Sequence, residues 1–216
     1  MSPRPRKVSD DAVFDALHRG RGGVEPAELT LALVGREAGI TAGALVQRFG
    51  SKLGLMRAFS GRFAGGADAM LDALRARAGS PLGALEAYAT SVAGMAETPA
   101  TLAHHLAYLQ MDLTDPEMFA HVRDHAVATR RALVRWIEEA VSAGDLRDDT
   151  DPGVLARLVH AVVSGSMLAY AFFREGAPDA WLRRDLAIGL RPYRRAVSAG
   201  PRQRKPGRKT RRPGGR

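Results

Sequence analysis

The chain has 216 residues, a formal net charge of +9 and no cysteine. Its length suits one or two small domains with a real core, and the lack of cysteine excludes a disulfide framework and any cysteine-based zinc site. The charge is uneven: residues 202–216 hold eight basic residues and no acid, residues 1–63 carry +4, and residues 64–201 carry −3. A basic head beside a mildly acidic body suits attraction to a polyanion.

Residues 1–8 alternate proline and arginine and are expected to form a flexible arm. No apolar segment follows them, so a secretory signal is not expected. Asp10 to Arg19 reads as a first helix, with Asp10 and Asp11 at its positive end and Val13, Phe14 and Leu17 inward. Gly20 to Gly23 reads as a turn, after which Pro26 and Glu28 leave the start of the second helix open. In the second helix Leu31, Val34 and Ala38 share a face; in the third, Leu45 and Phe49 are i,i+4 partners. Gly39 suits the left-handed residue that ends a helix, and Thr41 suits the cap of the next. Two short helices joined this tightly, with Gly35, Ala38, Gly43 and Ala44 permitting close approach, are the pattern of a helix-turn-helix. Ser51 is expected to cap a fourth helix, with Lys52 in its first turn. Met56, Phe59 and Phe63 continue the buried face toward Gly65-Gly66.

Thr30, Ala38-Gly39-Ile40-Thr41, Gly43-Ala44-Leu45, Phe49, Ser51-Lys52 and Leu55 together resemble the DNA-binding domain of the tetracycline-repressor (TetR) family of bacterial regulators. The resemblance implies an all-α protein: a three-helix helix-turn-helix domain, then a helical domain for ligand binding and dimerisation. The expected divisions are an arm at 1–8, a DNA-binding domain at 9–65, an effector-binding and dimerisation domain at 66–198, and a disordered basic tail at 199–216. DNA contact is expected from Thr30, Thr41, Ala42, Gly43, Val46, Gln47, Arg48 and Lys52. Gln47 suits adenine and Arg48 guanine, each as a bidentate pair, while Ala42 and Val46 suit thymine methyls. Lys52, a cation in the first turn of a helix, calls for a phosphate. The family often carries an aromatic residue at the position of Val46 and a polar one at that of Ala42, so both departures thin the grip.

The body reads as helix throughout. Ser80-Pro81, Thr98-Pro99, Asp115-Pro116 and Asp151-Pro152 each pair a capping residue with proline at the first helical position. Expected inward faces are Leu82, Leu85, Val92 and Met95; then Leu102, Leu106, Leu109 and Leu113; then Phe119, Val122, Ala126, Leu133, Ile137 and Val141, ending at Gly144. The last two helices, Asp151–Phe173 and Pro178–Val197, have apolar stripes that by resemblance form the homodimer interface. The apolar run Ala161 to Phe173 is too short to span a bilayer, so no membrane is expected and a cytoplasmic location is.

By the same resemblance the body holds a pocket for an unidentified small-molecule effector. Met95, His104, Tyr108, Met111, Trp136, Met167, Tyr170 and Phe173 are its candidate lining, and an apolar or aromatic ligand is favoured. His121 and His125 have i,i+4 spacing but no accompanying metal motif, and read as a surface pair. Asp148, Asp149 and Asp151 lack calcium-loop spacing. No catalytic or cofactor motif is present, so neither enzyme activity, nor a cofactor, nor a metal is expected. The leading expectation is a ligand-responsive repressor on a palindromic double-stranded DNA operator. The alternative is a non-specific nucleic-acid-binding protein driven by its basic ends.

Overall fold

The computed structural model describes residues 8–195, and among them it contains helices with no strand. The order is α1 (Asp10–Gly23), α2 (Leu31–Ala38), α3 (Ala42–Phe49), α4 (Lys52–Gly65), α5 (Ala67–Arg77), α6 (Pro81–Ser91), α7 (Pro99–Thr114), α8 (Pro116–Ser142), α9 (Pro152–Phe173) and α10 (Pro178–Leu190). Short 3₁₀ turns at Ala93–Ala96 and Arg191–Tyr193 follow α6 and α10.

Four of the body's five proline-led helices, α6 to α9, start where a cap residue predicts. Ser80 accepts from the Gly83 amide, Thr98 from Thr101, Asp115 from Glu117 and Met118, and Asp151 from Val154. Each cap satisfies backbone donors that a helix start leaves free. Asp115 does more: Arg57 on α4 donates from Nη2 to its carboxylate at 2.7 Å and from Nε at 3.2 Å, tying the head to the start of α8. The Arg57 hydrogen bond and the Met118 amide hold the Asp115 carboxyl below its ordinary value of 3.8. A depressed carboxylate stabilises the fold above its unfolded pKa and loses that contribution as pH falls through the folded value. Wild type should therefore lose stability more steeply below about pH 4 than Asp115→Asn does, as read by the acid limb of a helicity titration.

The body core gathers Leu71, Leu85, Leu133, Trp136, Ile137, Leu155, Val159, Leu182, Leu186 and Leu190, all buried. A second cluster in the head joins Val13, Leu17, Leu29, Val34, Leu45, Leu55, Met56 and Phe59, and it extends across to Tyr108 and Met118 of the body. Alongside the body core, α5 and α8 exchange three ion pairs, Arg131–Asp68, Arg135–Asp72 and Arg75–Glu139, at 2.7–2.8 Å.

Several expectations are corrected. The glycine run 20–23 is the last turn of α1, not a loop. Tertiary contact holds it helical: Arg21 lies over the Phe59 and Tyr108 rings, its Cζ 5.1 and 4.3 Å from their centroids. On α7 only Leu102 of the expected inward face is buried, and Leu106, Leu109 and Leu113 face outward. On α8 it is Met118, not Phe119, that is buried at the N-terminal end. Met95 falls in the 3₁₀ turn and is exposed. The Asp148 and Asp149 carboxylates pair with Arg195 and Arg147, at 2.5 and 2.6 Å, and Asp151 is a cap. Among the described residues no group of three potential metal ligands assembles.

By length and composition α9 is long and apolar enough to cross a membrane, so the shortness argued from Ala161–Phe173 does not hold. One of its faces packs inward. Leu155, Val159, Val163, Ser166 and Tyr170 are buried, and Ser166 donates to Asp185 on α10 at 2.6 Å. The final expected helix stops at Leu190, short of Val197, where Pro192 enters the 3₁₀ turn. Val197, the arm at residues 1–7 and the basic tail lie outside the described residues.

Candidate nucleic-acid interface

Three consecutive side-chain caps build the head. Thr30 accepts from the Leu33 amide at 3.2 Å, Thr41 from Ala44 at 3.1 Å, and Ser51 from Gly54 at 3.0 Å. Between α2 and α3 the chain reverses at Gly39, whose φ of 74° suits a residue without Cβ. The Ile40 amide donates to the Gly35 carbonyl at 2.8 Å and closes the turn. A Cβ on Gly35 would lie 2.6 Å from the Ile40 carbonyl oxygen, so the turn is as tight as glycine permits. Leu45 is buried and Phe49 half-buried against Phe14, at 5.9 Å between ring centroids, which fixes the rotation of α3.

That rotation leaves Thr41, Gly43, Ala44, Val46 and Gln47 exposed and Ala42 half-buried. Gln47 is the one exposed residue on α3 itself with a polar side chain. Arg48 differs from expectation. Its Nη2 donates to the Val8 carbonyl at 2.9 Å, and its Nη1 lies 3.0 Å from Asp10. The guanidinium is thus turned back toward the start of α1. Lys52 donates to the Pro26 carbonyl in the loop before α2, leaving two of its three ammonium donors for other partners. Thr30 stands exposed at the start of α2.

The eight candidate pocket residues do not meet. Tyr108 and Met111 pack with the head cluster, and Trp136 is in the body core. Met167 and Tyr170 pack with Ala96, Leu102 and Trp181. Phe173 stacks on Trp181 at 6.2 Å, exposed on its other side. His104 is half-buried on α7, with no protein partner at Nδ1. Long apolar side chains at helical spacing do not reveal which neighbour each helix meets, which is why these residues looked equivalent.

Residues 105–186 match the family model described as "Tetracyclin repressor-like, C-terminal domain", on the half of the chain that the helix-turn-helix reading did not use. Residues 105–186 are therefore a TetR-type C-terminal domain. Solved TetR-type structures share its fold over nearly their whole length. The Streptomyces coelicolor regulator SCO0520 is 21% identical with a TM-score of 0.65, covering 88% of this chain and 100% of its own. Reduced E. coli NemR is 15% identical with a TM-score of 0.67, covering 85% and 97%. SmeT of Stenotrophomonas maltophilia, described as the repressor of the multidrug efflux pump SmeDEF, is 21% identical with a TM-score of 0.60, covering 88% and 93%. No curated protein sequence matches the chain.

Proposed function

We propose that this protein is a non-enzymatic DNA-binding transcriptional regulator of TetR type, a ligand-responsive repressor that binds a palindromic operator as a homodimer. The observation that carries the dimer is the outer face of the α9–α10 pair. Val154, Ala161, Leu168 and Phe172 on α9 and Ala180, Ala187 and Ile188 on α10 are all exposed, with Phe172 at 77% and Ile188 at 64%. A contiguous apolar face of this kind marks an interaction surface. Pairing it with a second copy sets two copies of α3 to read half-sites one DNA turn apart, about 34–36 Å. Leu168→Glu with Ile188→Glu should convert the dimer to a folded monomer in sedimentation velocity and weaken operator binding about 100-fold or more through lost avidity. A dimer that survives the pair of charges would overturn this interface.

Within the reader, Gln47 carries base recognition, Val46 and Ala42 offer methyl contacts, and Thr30, Thr41, Gly43 and Lys52 line the phosphate approach. Gln47→Ala should relax preference at one base pair by about 1–3 kcal/mol. Arg48→Ala should instead weaken all sequences alike, because the guanidinium holds Val8 and Asp10 at the start of α1 rather than a base. Selection from randomised DNA distinguishes the two; loss of preference at a single position in Arg48→Ala returns that residue to the bases.

For the effector, the aromatic group at the end of α9 supports an apolar or aromatic ligand. Tyr170 and Phe173 flank Trp181, whose buried Nε1 has no protein acceptor. The description of SmeT as a repressor supports the same sign of output here. Action on a bacterial operator places the protein in the cytoplasm.

A further inference from the structure

Five of the chain's six histidines stand on α1, α7 and α8 in or beside the contact between head and body. His18 on α1 stacks on Phe59 at 6.3 Å. His121 on α8 lies close against α4 at Gly61: a Cβ on Gly61 would sit 3.0 Å from its Cε1. One turn later His125 packs on Phe63 of α4, with ring centroids 4.7 Å apart. His104 and His105 stand on α7, the helix that meets α1.

Most of the charges around these rings are already paired, and Asp15 of α1, which shares a surface with His18 and Phe63, is solvent-exposed. From α1, Arg21 already brings a buried cation, and its nearest carboxylate, Asp112 of α7, is 3.9 Å away. Burial pushes the Arg21 guanidinium down and Asp112 up despite their attraction. On α4, Arg57 is taken by Asp115 and Glu117 of α8, and Arg62 by Asp11 of α1. On α8, Asp124 pairs with Arg123. No protein group bonds Nδ1 of His104, His121 or His125, nor the Tyr108 hydroxyl. A protonated His125 would carry at Nδ1 a buried donor with no protein acceptor, which water satisfies only if the contact opens.

We propose that the head–body contact is a proton-operated coupling: neutral His105 on α7 and His125 on α8 seat the head, and their protonation releases it. Burial, with Arg21, His18 and His104 beside His105, holds His105 below its ordinary 6.5, and burial alone does so for His125. The seated state therefore binds fewer protons than the released one, so seating is intact above 6.5 and weakens as pH falls below it. Asp112 has the opposite sign, since burial favours its protonated form, but it starts from 3.8 and the histidines act first. The consequence for operator binding rests on the dimeric reading; the coupling itself does not.

The absence of cysteine makes the test direct. Glu37→Cys on α2 and Glu138→Cys on α8 place two spin labels at exposed positions, one on the head and one on the body. With labelled chains diluted in unlabelled protein, pulsed electron resonance reads the distance within one chain. Between about pH 7.5 and about pH 5 the single narrow distance should give way to a broader, displaced population increasing several-fold. His105→Gln with His125→Gln should hold the narrow distance at both pH values. A distance in wild type that ignores pH, or a double variant that opens as wild type does, overturns the proposal. Should the double variant not fold, the wild-type ring resonances decide. His105 and His125 titrating together with the distance change support the coupling, and titration with the distance fixed overturns it.

Discussion

Replacing Trp136 by alanine is expected to remove about 3–5 kcal/mol from the stability of the body. Trp136 is 1% exposed on α8, among Leu133, Ile137, Leu85 and Leu155 in the core that unites α5, α6, α8, α9 and α10. Truncation loses the transfer free energy of an indole and leaves a cavity that rigid helices close only in part. Set against the total stability of a typical domain, about 5–15 kcal/mol, that loss is severe. Urea unfolding followed by helicity measures it, and Trp181, the other tryptophan, still reports on the end of α9. Trp136→Phe should recover most of the loss. An alanine variant within about 1 kcal/mol of wild type would show that Trp136 lines adaptable space, the role the sequence had suggested for it.

The second large effect belongs to Gly35→Ala. In an ordinary helix this change stabilises by about 0.4–1 kcal/mol through the unfolded chain. Here the new Cβ meets backbone: the Ile40 carbonyl oxygen at 2.6 Å and the Ala42 nitrogen and Thr41 carbonyl carbon at 3.3 Å. Backbone in a three-residue turn cannot yield as a side chain would, so the clash outweighs the entropy gain. The head should lose about 2–3 kcal/mol. Gly43→Ala is the contrast within the same motif. Its Cβ finds nothing nearer than the Thr41 hydroxyl at 3.9 Å, so the head should become more stable by up to about 1 kcal/mol. Amide exchange over residues 30–60 reads both changes, and a Gly35→Ala head as protected as wild type would mean the turn is looser than its geometry indicates.

What the sequence disclosed is what chemistry acting over a few residues decides. Ser80, Thr98, Asp115 and Asp151 cap the helices they announce because a cap needs only the next three amides. Gly39 and Thr41 were legible for the same reason, and with them the helix-turn-helix. Arg48 was not, because its partners, Val8 and Asp10, lie about forty residues away and meet it only once α1 crosses α3. Nor could spacing alone separate Leu102 from Leu106, Leu109 and Leu113, since all four are leucines of one helix and only the position of neighbouring helices ranks them. The histidine pair at 121 and 125 looked superficial by composition; it is the arrival of Gly61 and Phe63 from α4 that draws it into a contact.

The three ion pairs between α5 and α8 add little stability, since exposed pairs contribute roughly 0–1 kcal/mol each. Their order matters more. Residue numbers rise together along both helices, so α5 and α8 run parallel, and the third rung reverses polarity: acid, acid, base on α5 against base, base, acid on α8. Sliding α5 one turn forward would bring Asp72 to Glu139, and one turn back would bring Arg75 to Arg135. Either slip sets like charges together, so the arrangement acts as a keyed register. Motion of the head must then arise upstream of α5, by rotation of α1 and α4, while α5 stays locked on the body.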